Sequence, residues 1–533
     1  MEPSVRRYHQ ASKHAPDRYA PGPGRLDWAS QPDPFRYYQG TLREGLPLQP
    51  AVPDPPFAAL WQPEAVAAQP MTVDALSCLL ANSLGLAVWK AYGNNRWALR
   101  CHPSSGNLHP IEAYLIAADP FVGVHHYFAR DHLLERRWQP ERGEAWRRLW
   151  APGHLLLALT LVHERETWKY GLRSYRYCQL NLGHAAAAIA FAAAALGWRC
   201  SLLWQAGDET IRRLSGLPHA ADVEAEHPGL LLLLSNQAES RLPDTAALAA
   251  QMAVAPFLGK ASRLTPETLP VWPGIEAVEK ACHKAEEEVV LTAAKSDWPP
   301  LTFGNTTLSA AALLRGRRSG QSYDPGHVLP QAAFFRILDR LLPRLSLPPW
   351  ALLPHTPLVH PLLLVHRVEG VVPGRYLLLR DPAQLATWQG LLPATASWQK
   401  IFSAPDHLPL YLLQEESCAE WAGVISCQQE IAADGFFSLG MLADFALGLQ
   451  PGAWGYRALH WEAGILGQIL YLAAEEEGVR GTGIGCFFDD LFHRWLGLQG
   501  DRLQTIYHFT IGMPIADQRI LSLSPYAHLT ERR

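Results

Sequence analysis

Residues 175–197 read YRYCQLNLGHAAAAIAFAAAALG, and residues 456–478 read YRALHWEAGILGQILYLAAEEEG. Tyr-Arg opens both segments. Glycines recur at matching places, Gly183 with Gly464 and Gly197 with Gly478, and the offset stays at 281 residues throughout. A fixed offset over a whole helix-length segment points to a duplicated domain and away from a short solenoid repeat. Such a chain should fold as two similar halves. If the ancestor was a symmetric dimer, the fusion is a dimer within one chain, and its two sites are free to diverge.

The chain has 533 residues, enough for two to four domains. An apolar content of 48% supplies a large core, and a net charge of −4 gives no electrostatic reason to expect nucleic acid. The apolar run Ala185–Trp198 covers fourteen residues, short of the roughly 20 that a membrane span needs. No basic-then-apolar leader opens the sequence, so no secretory signal is read. Eight cysteines are scattered without a Cys-x-x-Cys pair, which fits free thiols in the cytoplasm better than zinc or disulfides.

Periodicity divides the chain into an extended Pro/Gly/Tyr/Arg-rich arm (1–60), a first copy (61–237), a connector with one or two helices (238–300) and a second copy (301–533). The first copy should hold a helix near 72–88, strands at 109–118, 155–163 and 229–235, and a long helix at 175–196. The second should hold a helix at 309–317, a hairpin turning at Pro373-Gly374, a long helix at 454–477 and a closing strand at 505–514. Antiparallel strands mixed with long helices predict an α+β fold.

Three segments have chemical potential. HPSSGNLHP (102–110) presents the hydroxyls of Ser104 and Ser105 and the amide of Asn107 between two prolines, as suits a polar heterocycle edge or a phosphate; an ordinary turn is the alternative. LLRGRRSGQSYDP (313–325) places Arg315, Arg317 and Arg318 after an apolar helix, with Ser319 and Gln321 following. Guanidinium groups there bind phosphate, or merely complement a helix end. HERETWKYGLRSYRY (163–177) carries Lys169 and Tyr170 beside Arg173 and Arg176, a set suited to proton transfer or to salt bridges. Position 167 is Thr, so His163-Glu164 does not complete a His-Glu-x-x-His zinc motif, and no metal set is read. RGTGIGCFFDD (480–490) lacks the dinucleotide-binding spacing and reads as a loop whose glycines let backbone approach a flat ligand.

Together these residues resemble the nitroreductase-like FMN flavoproteins, and most closely the SagB-type (ThcOx) dehydrogenase branch, which includes azoline oxidases of thiazole/oxazole peptide biosynthesis. The resemblance covers nearly the whole chain as two copies. It implies two α+β domains, each a mostly antiparallel sheet flanked by long helices, joined as an internal pseudo-dimer with FMN at their interface. The phosphate segment falls on Arg317, Ser319 and Gln321, where the family prefers Lys or Arg at the last position. The loop beside the isoalloxazine falls on Gly483, Gly485 and Cys486. The Pro-Ser-Ser-x-Asn segment falls on Pro103, Ser104, Ser105 and Asn107. The azoline-oxidase pattern Lys-Tyr-x-x-Arg-x-Tyr-Arg is matched in full by Lys169, Tyr170, Arg173, Tyr175 and Arg176, with proton abstraction assigned to the Lys and Tyr.

The copies are not equivalent. The second has LPHTPLVHP (353–361) in place of HPSSGNLHP and no Lys-Tyr pair, while FRYYQGTLRE (35–44) in the first lacks the Ser of the phosphate segment. The asymmetry of the copies therefore implies one FMN per chain, and the reading is of an internal pseudo-dimer with a small-molecule or peptide substrate and no nucleic acid or membrane partner. Two readings compete with a dehydrogenase: an NAD(P)H-dependent nitro- or quinone reductase, and a scaffold whose catalysis has decayed.

Overall fold

The computed structural model describes residues 2–219, 223–237, 242–287, 297–304 and 307–530. Two seven-stranded antiparallel sheets dominate it. The first runs, edge to edge, Arg43–Gly45, Leu133–Trp138, Gly123–Phe128, Ile111–Ala117, His154–Leu161, His227–Ser235 and Arg199–Leu202. The second runs Gln399–Lys400, Leu410–Glu415, Gly374–Leu378, Val359–Val365, Phe437–Asp444, Leu503–Gly512 and Arg480–Ile484. Numbered along the chain within each sheet, the orders are 1-4-3-2-5-7-6 and 3-4-2-1-5-7-6, so both end in the same run, with the last strand placed inside the one before it. The fold class is α+β.

Between the sheets lie two long helices, Ser174–Ala194 and Gly455–Glu476. Each sheet is covered on both faces, so its central strands read as unbroken apolar runs. Leu155, Leu157 and Leu159 enter the shared core with the long helices, whereas Leu156 and Ala158 enter a second core on the outer face. In the second sheet Leu363 and Val365 face the shared core, and Leu362 and Leu364 face the outer one. This two-sided burial is why GLLLLLS at 229–235 shows no alternation, although it is a strand.

The long helices cross at the glycines that mark the repeat. A Cβ added to Gly183 would lie 2.2 Å from the Trp461 carbonyl oxygen and 2.9 Å from Gly464 Cα; one added to Gly464 would lie 2.2 Å from the Leu180 oxygen. The backbones of the two halves therefore meet at this glycine pair. Gly183→Ala and Gly464→Ala should each cost at least about 1–3 kcal/mol, the usual range for overpacking. Denaturant unfolding measures this, and an unchanged midpoint would mean that the crossing has slack.

The ion pairs at the crossing repeat with the same offset. Arg176 donates to Asp489 at 2.8 Å, and Arg457 donates to Asp208 at 2.9 and 2.8 Å. Both acids open short helices that follow the sheet-edge strands, and both positions of each pair stand 281 residues apart. Each arginine of one half thus holds an acid of the other.

Some local expectations change. The arm, expected to be extended, begins with a helix, Glu2–Ala11, whose Val5, Tyr8 and His9 are buried. Its His9 ring bonds Tyr456 and Gln504. The expected helix at 72–88 ends at Ser83, and a strand takes over at Leu86. The hairpin exists, but Gly374 pairs with Val365, so the turn precedes Pro373-Gly374. The glycine-rich segment is not a free loop: Arg480–Ile484 is a sheet-edge strand. The connector contributes helices Thr245–Met252 and Pro273–Ala281, and residues 288–296 lie outside the described residues. Among the described residues no helix is long and apolar enough to cross a membrane.

Candidate active site

The segment 102–110 leaves a strand of a small three-stranded sheet at Arg100 and enters the first seven-stranded sheet at Ile111, so a different sheet holds each end. Its tight course is held from within. Ser104 Oγ accepts from the His109 N–H at 2.8 Å, and Asn107 spends its amide on the Ala98 carbonyl and the His109 ring, both at 2.8 Å. Asn107 therefore shapes the turn, while Pro103, Ser104 and Ser105 remain half-buried at its surface.

Lys169 and Tyr170 end the helix His163–Tyr170. Both press on this turn at Gly106. A Cβ there would lie 2.6 Å from the Tyr170 hydroxyl and 3.3 Å from Lys169 Nζ, and its φ of 59° already favours glycine. Under the turn, Glu166 Oε1 accepts from Asn181 Nδ2 at 2.9 Å, leaving Oε2 buried without a partner. Burial drives the Glu166 carboxyl well above its usual range, against the pull of Asn181 and Lys169. Burial likewise raises the Tyr170 phenol, with Glu166 adding to it. The sequence reading passed over Glu166, since nothing in its local pattern separates it from the salt-bridging residues around it.

The second half contributes Arg317, at the end of helix Ala310–Gly316, which Ser309 caps. Arg317 is buried. Its Nε donates to the Cys101 carbonyl at 2.7 Å, its guanidinium lies 4.9 Å from the Tyr471 ring centre, and its Nη1 has no partner. Burial lowers its pKa. Ser319 shares a 2.8 Å hydrogen bond with the Tyr471 hydroxyl, which also accepts from the Gly483 N–H at 2.9 Å. Tyr471, on the second long helix, is a linking residue that the sequence reading missed. Gln321 is exposed.

Gly485 meets the first half directly. Its carbonyl accepts from Arg173 Nε at 3.1 Å, and a Cβ there would lie 2.4 Å from the Tyr177 ring. At Gly483 a Cβ would strike the Tyr507 hydroxyl. The side-chain room at both glycines is thus taken by tyrosines, a use the flat-ligand expectation did not include. The Cys486 thiol is pulled well below its ordinary range, first by a hydrogen bond with the Cys427 thiol and then, against burial, by His14 and Arg173. The chain thus gathers Pro103–Asn107, Lys169 and Tyr170 of one half with Arg317, Ser319, Gly483, Gly485 and Cys486 of the other into adjoining surroundings.

The position related to this one by the repeat is built differently. Trp204 stands 281 residues before Gly485. Its ring lies 5.3 Å from His355, 6.3 Å from Trp454 and 6.1 Å from Trp461, and its Nε1 donates to the Leu352 carbonyl at 3.1 Å. The cavity beside it, lined by Leu202, Trp204 and Trp461, measures about 20 Å³, room for one water and far less than a flavin needs.

A putative nitroreductase from Anabaena variabilis superposes on the chain with a TM-score of 0.70 at 24% identity, covering 96% of this chain and 99% of that one. The chain therefore has a nitroreductase-like fold. A putative nitroreductase from Ralstonia eutropha matches 42% of this chain and all of its own at 18% identity and a TM-score of 0.27. The E. coli microcin synthetase McbBCD complex with truncated pro-MccB17 bound matches 32% of this chain and 66% of its own at 18% identity and a TM-score of 0.26. Scores that low carry no weight. No protein-family model matches the chain, and no curated protein does.

Proposed function

We propose that the chain is an FMN-dependent oxidoreductase of the SagB-type dehydrogenase kind, a tandem duplication acting as an internal pseudo-dimer with one composite flavin site. The observation that carries this is Arg317. A guanidinium buried against the Cys101 carbonyl with Nη1 unpartnered is a donor waiting for an acceptor that the chain does not supply. A flavin phosphate is such an acceptor, and Ser319 lies two residues on. The donor set therefore fits FMN, with Arg317 and Ser319 at the phosphate and the 103–107 turn and the Gly483–Cys486 stretch from opposite halves alongside.

When bound, FMN would supply the hydride acceptor. The chain's own part is placement and proton handling. Lys169 and Tyr170 meet at Gly106, next to a carboxyl, Glu166, whose pKa burial drives up. The base would be Lys169 Nζ as the neutral amine, which takes the substrate proton and becomes the ammonium, with the Tyr170 hydroxyl beside it to relay that proton. A nitro- or quinone reductase has no carbon acid to deprotonate, so the pair favours a dehydrogenase acting on an azoline-like small molecule or peptide.

Lys169→Ala and Tyr170→Phe should keep flavin bound and slow its reduction by an azoline-containing substrate by about 10²–10⁴-fold, the span of general-base contributions. Stopped-flow absorbance of the flavin reads the rate. Unchanged reduction would return the pair to a structural role, and rapid reduction by NAD(P)H would favour the reductase reading.

A further inference from the structure

His163, His227 and Glu279 come from three elements: the first residue of the helix His163–Tyr170, the first residue of the strand His227–Ser235, and the helix Pro273–Ala281. Among the described residues this is the one group of three or more His, Cys, Asp or Glu whose ligand atoms lie within 4.8 Å of one another. His163 Nε2 stands 4.0 Å from Glu279 Oε2, and His227 Nδ1 stands 3.5 Å from Glu279 Oε1. His163 is 4% exposed. Its Nε2 and the Glu279 Oε2 are both buried without a hydrogen-bond partner.

That pairing is unusual for a packed interior, because an orphaned buried acceptor or donor costs about 1–3 kcal/mol. We propose that these three residues bind one divalent transition-metal ion of the zinc class, with the remaining coordination position open to the neighbouring cavity. Two imidazoles and a carboxylate are a zinc donor set, and a tetrahedral ion with bonds of about 2.0–2.1 Å spaces its ligands about 3.4 Å apart. The 3.5 and 4.0 Å separations run to different oxygens of Glu279, and one ligand atom from each residue lies within 4.8 Å of the others, so the set must draw in by about an ångström to hold the ion. The two rings are stacked, with centres 4.3 Å apart, so one must turn about χ2 to bring its nitrogen into line with the ion.

The cavity that all three residues line measures about 410 Å³, large enough for a small ligand at the open position. Glu164 also faces it, with Oε2 buried and unpartnered. The site begins the same helix that ends in Lys169 and Tyr170, yet it needs neither them nor a flavin.

Purified protein stripped with a chelator and titrated with Zn²⁺ by calorimetry, and with Co²⁺ by visible absorption, tests this. One ion per chain is expected, with a rise in unfolding temperature on Zn²⁺ addition whether or not flavin is present. His227→Asn and Glu279→Gln should each weaken binding by at least about 10-fold, since losing a ligand costs no less than losing an outer-shell partner. His327→Ala, which alters an exposed histidine paired with Asp324, should change nothing. His163→Gln gives a third variant, and circular dichroism identifies any that fails to fold. No stoichiometric binding by the parent, or undiminished binding in folded His227 and Glu279 variants, would overturn the site and leave an ordinary His227–Glu279 ion pair.

Discussion

An Asp489→Ala variant is expected to lose about 3–5 kcal/mol of stability, the cost of stranding buried charge. The carboxylate is completely buried and accepts from Arg173 Nη1 at 2.9 Å, Arg176 Nη1 at 2.8 Å and the His14 N–H at 3.1 Å. Its removal leaves two guanidinium groups facing each other in the interior between the halves. Burial alone would raise this carboxyl; Arg173 and Arg176 overcome that and hold it well below its usual range. The linkage sign follows. A depressed acid stabilises the fold above its unfolded pKa of about 3.9, and the contribution fades as pH falls through the lower folded value. Chemical denaturation at neutral pH and again near pH 3 measures both effects. The gap between parent and variant should narrow at the acid end. An equal gap at both pH values would mean that packing, and not charge, sets the loss.

Arg317→Ala should abolish measurable flavin retention. Charge-assisted hydrogen bonds contribute about 1.5–3 kcal/mol each, so losing two at the phosphate weakens binding by about two to four orders of magnitude. The same side chain also bonds the Cys101 carbonyl, so some stability is lost too. Arg317→Lys restores the charge and separates the two effects: it should recover part of the flavin, as a point charge without the planar fork. Visible absorbance after reconstitution with FMN reads occupancy, and circular dichroism reads folding. Full occupancy in the alanine variant would remove Arg317 from the phosphate site.

The repeat and the alternation of strand and helix made the α+β architecture legible in the sequence. The glycines at 183 and 464 were visible as marks of the repeat, but not as the crossing point, because only the packed backbones show which small residue touches which. Lys169, Tyr170 and Arg317 stood out through motif spacing. Glu166, Tyr471 and Asp489 did not, since each acquires its role from a partner distant in sequence: Asn181 lies 15 residues away, Ser319 152 and Arg176 313. The His163, His227 and Glu279 cluster was hidden for the same reason. Its ligands are spread over more than a hundred residues, with no local metal motif to announce them.

The proposed function requires one site to have degenerated, and Trp204, packed with Trp454 and Trp461, gives that a physical form. Trp204 stands where the repeat would place a second Gly485, and the space left there is about 20 Å³. The direct measurement is flavin-to-protein stoichiometry after reconstitution of the full chain with excess FMN and removal of the unbound cofactor. One FMN per chain is the expected value. A ratio near two would show that both composite sites are intact, and a ratio near zero would show that the Arg317 site holds no flavin.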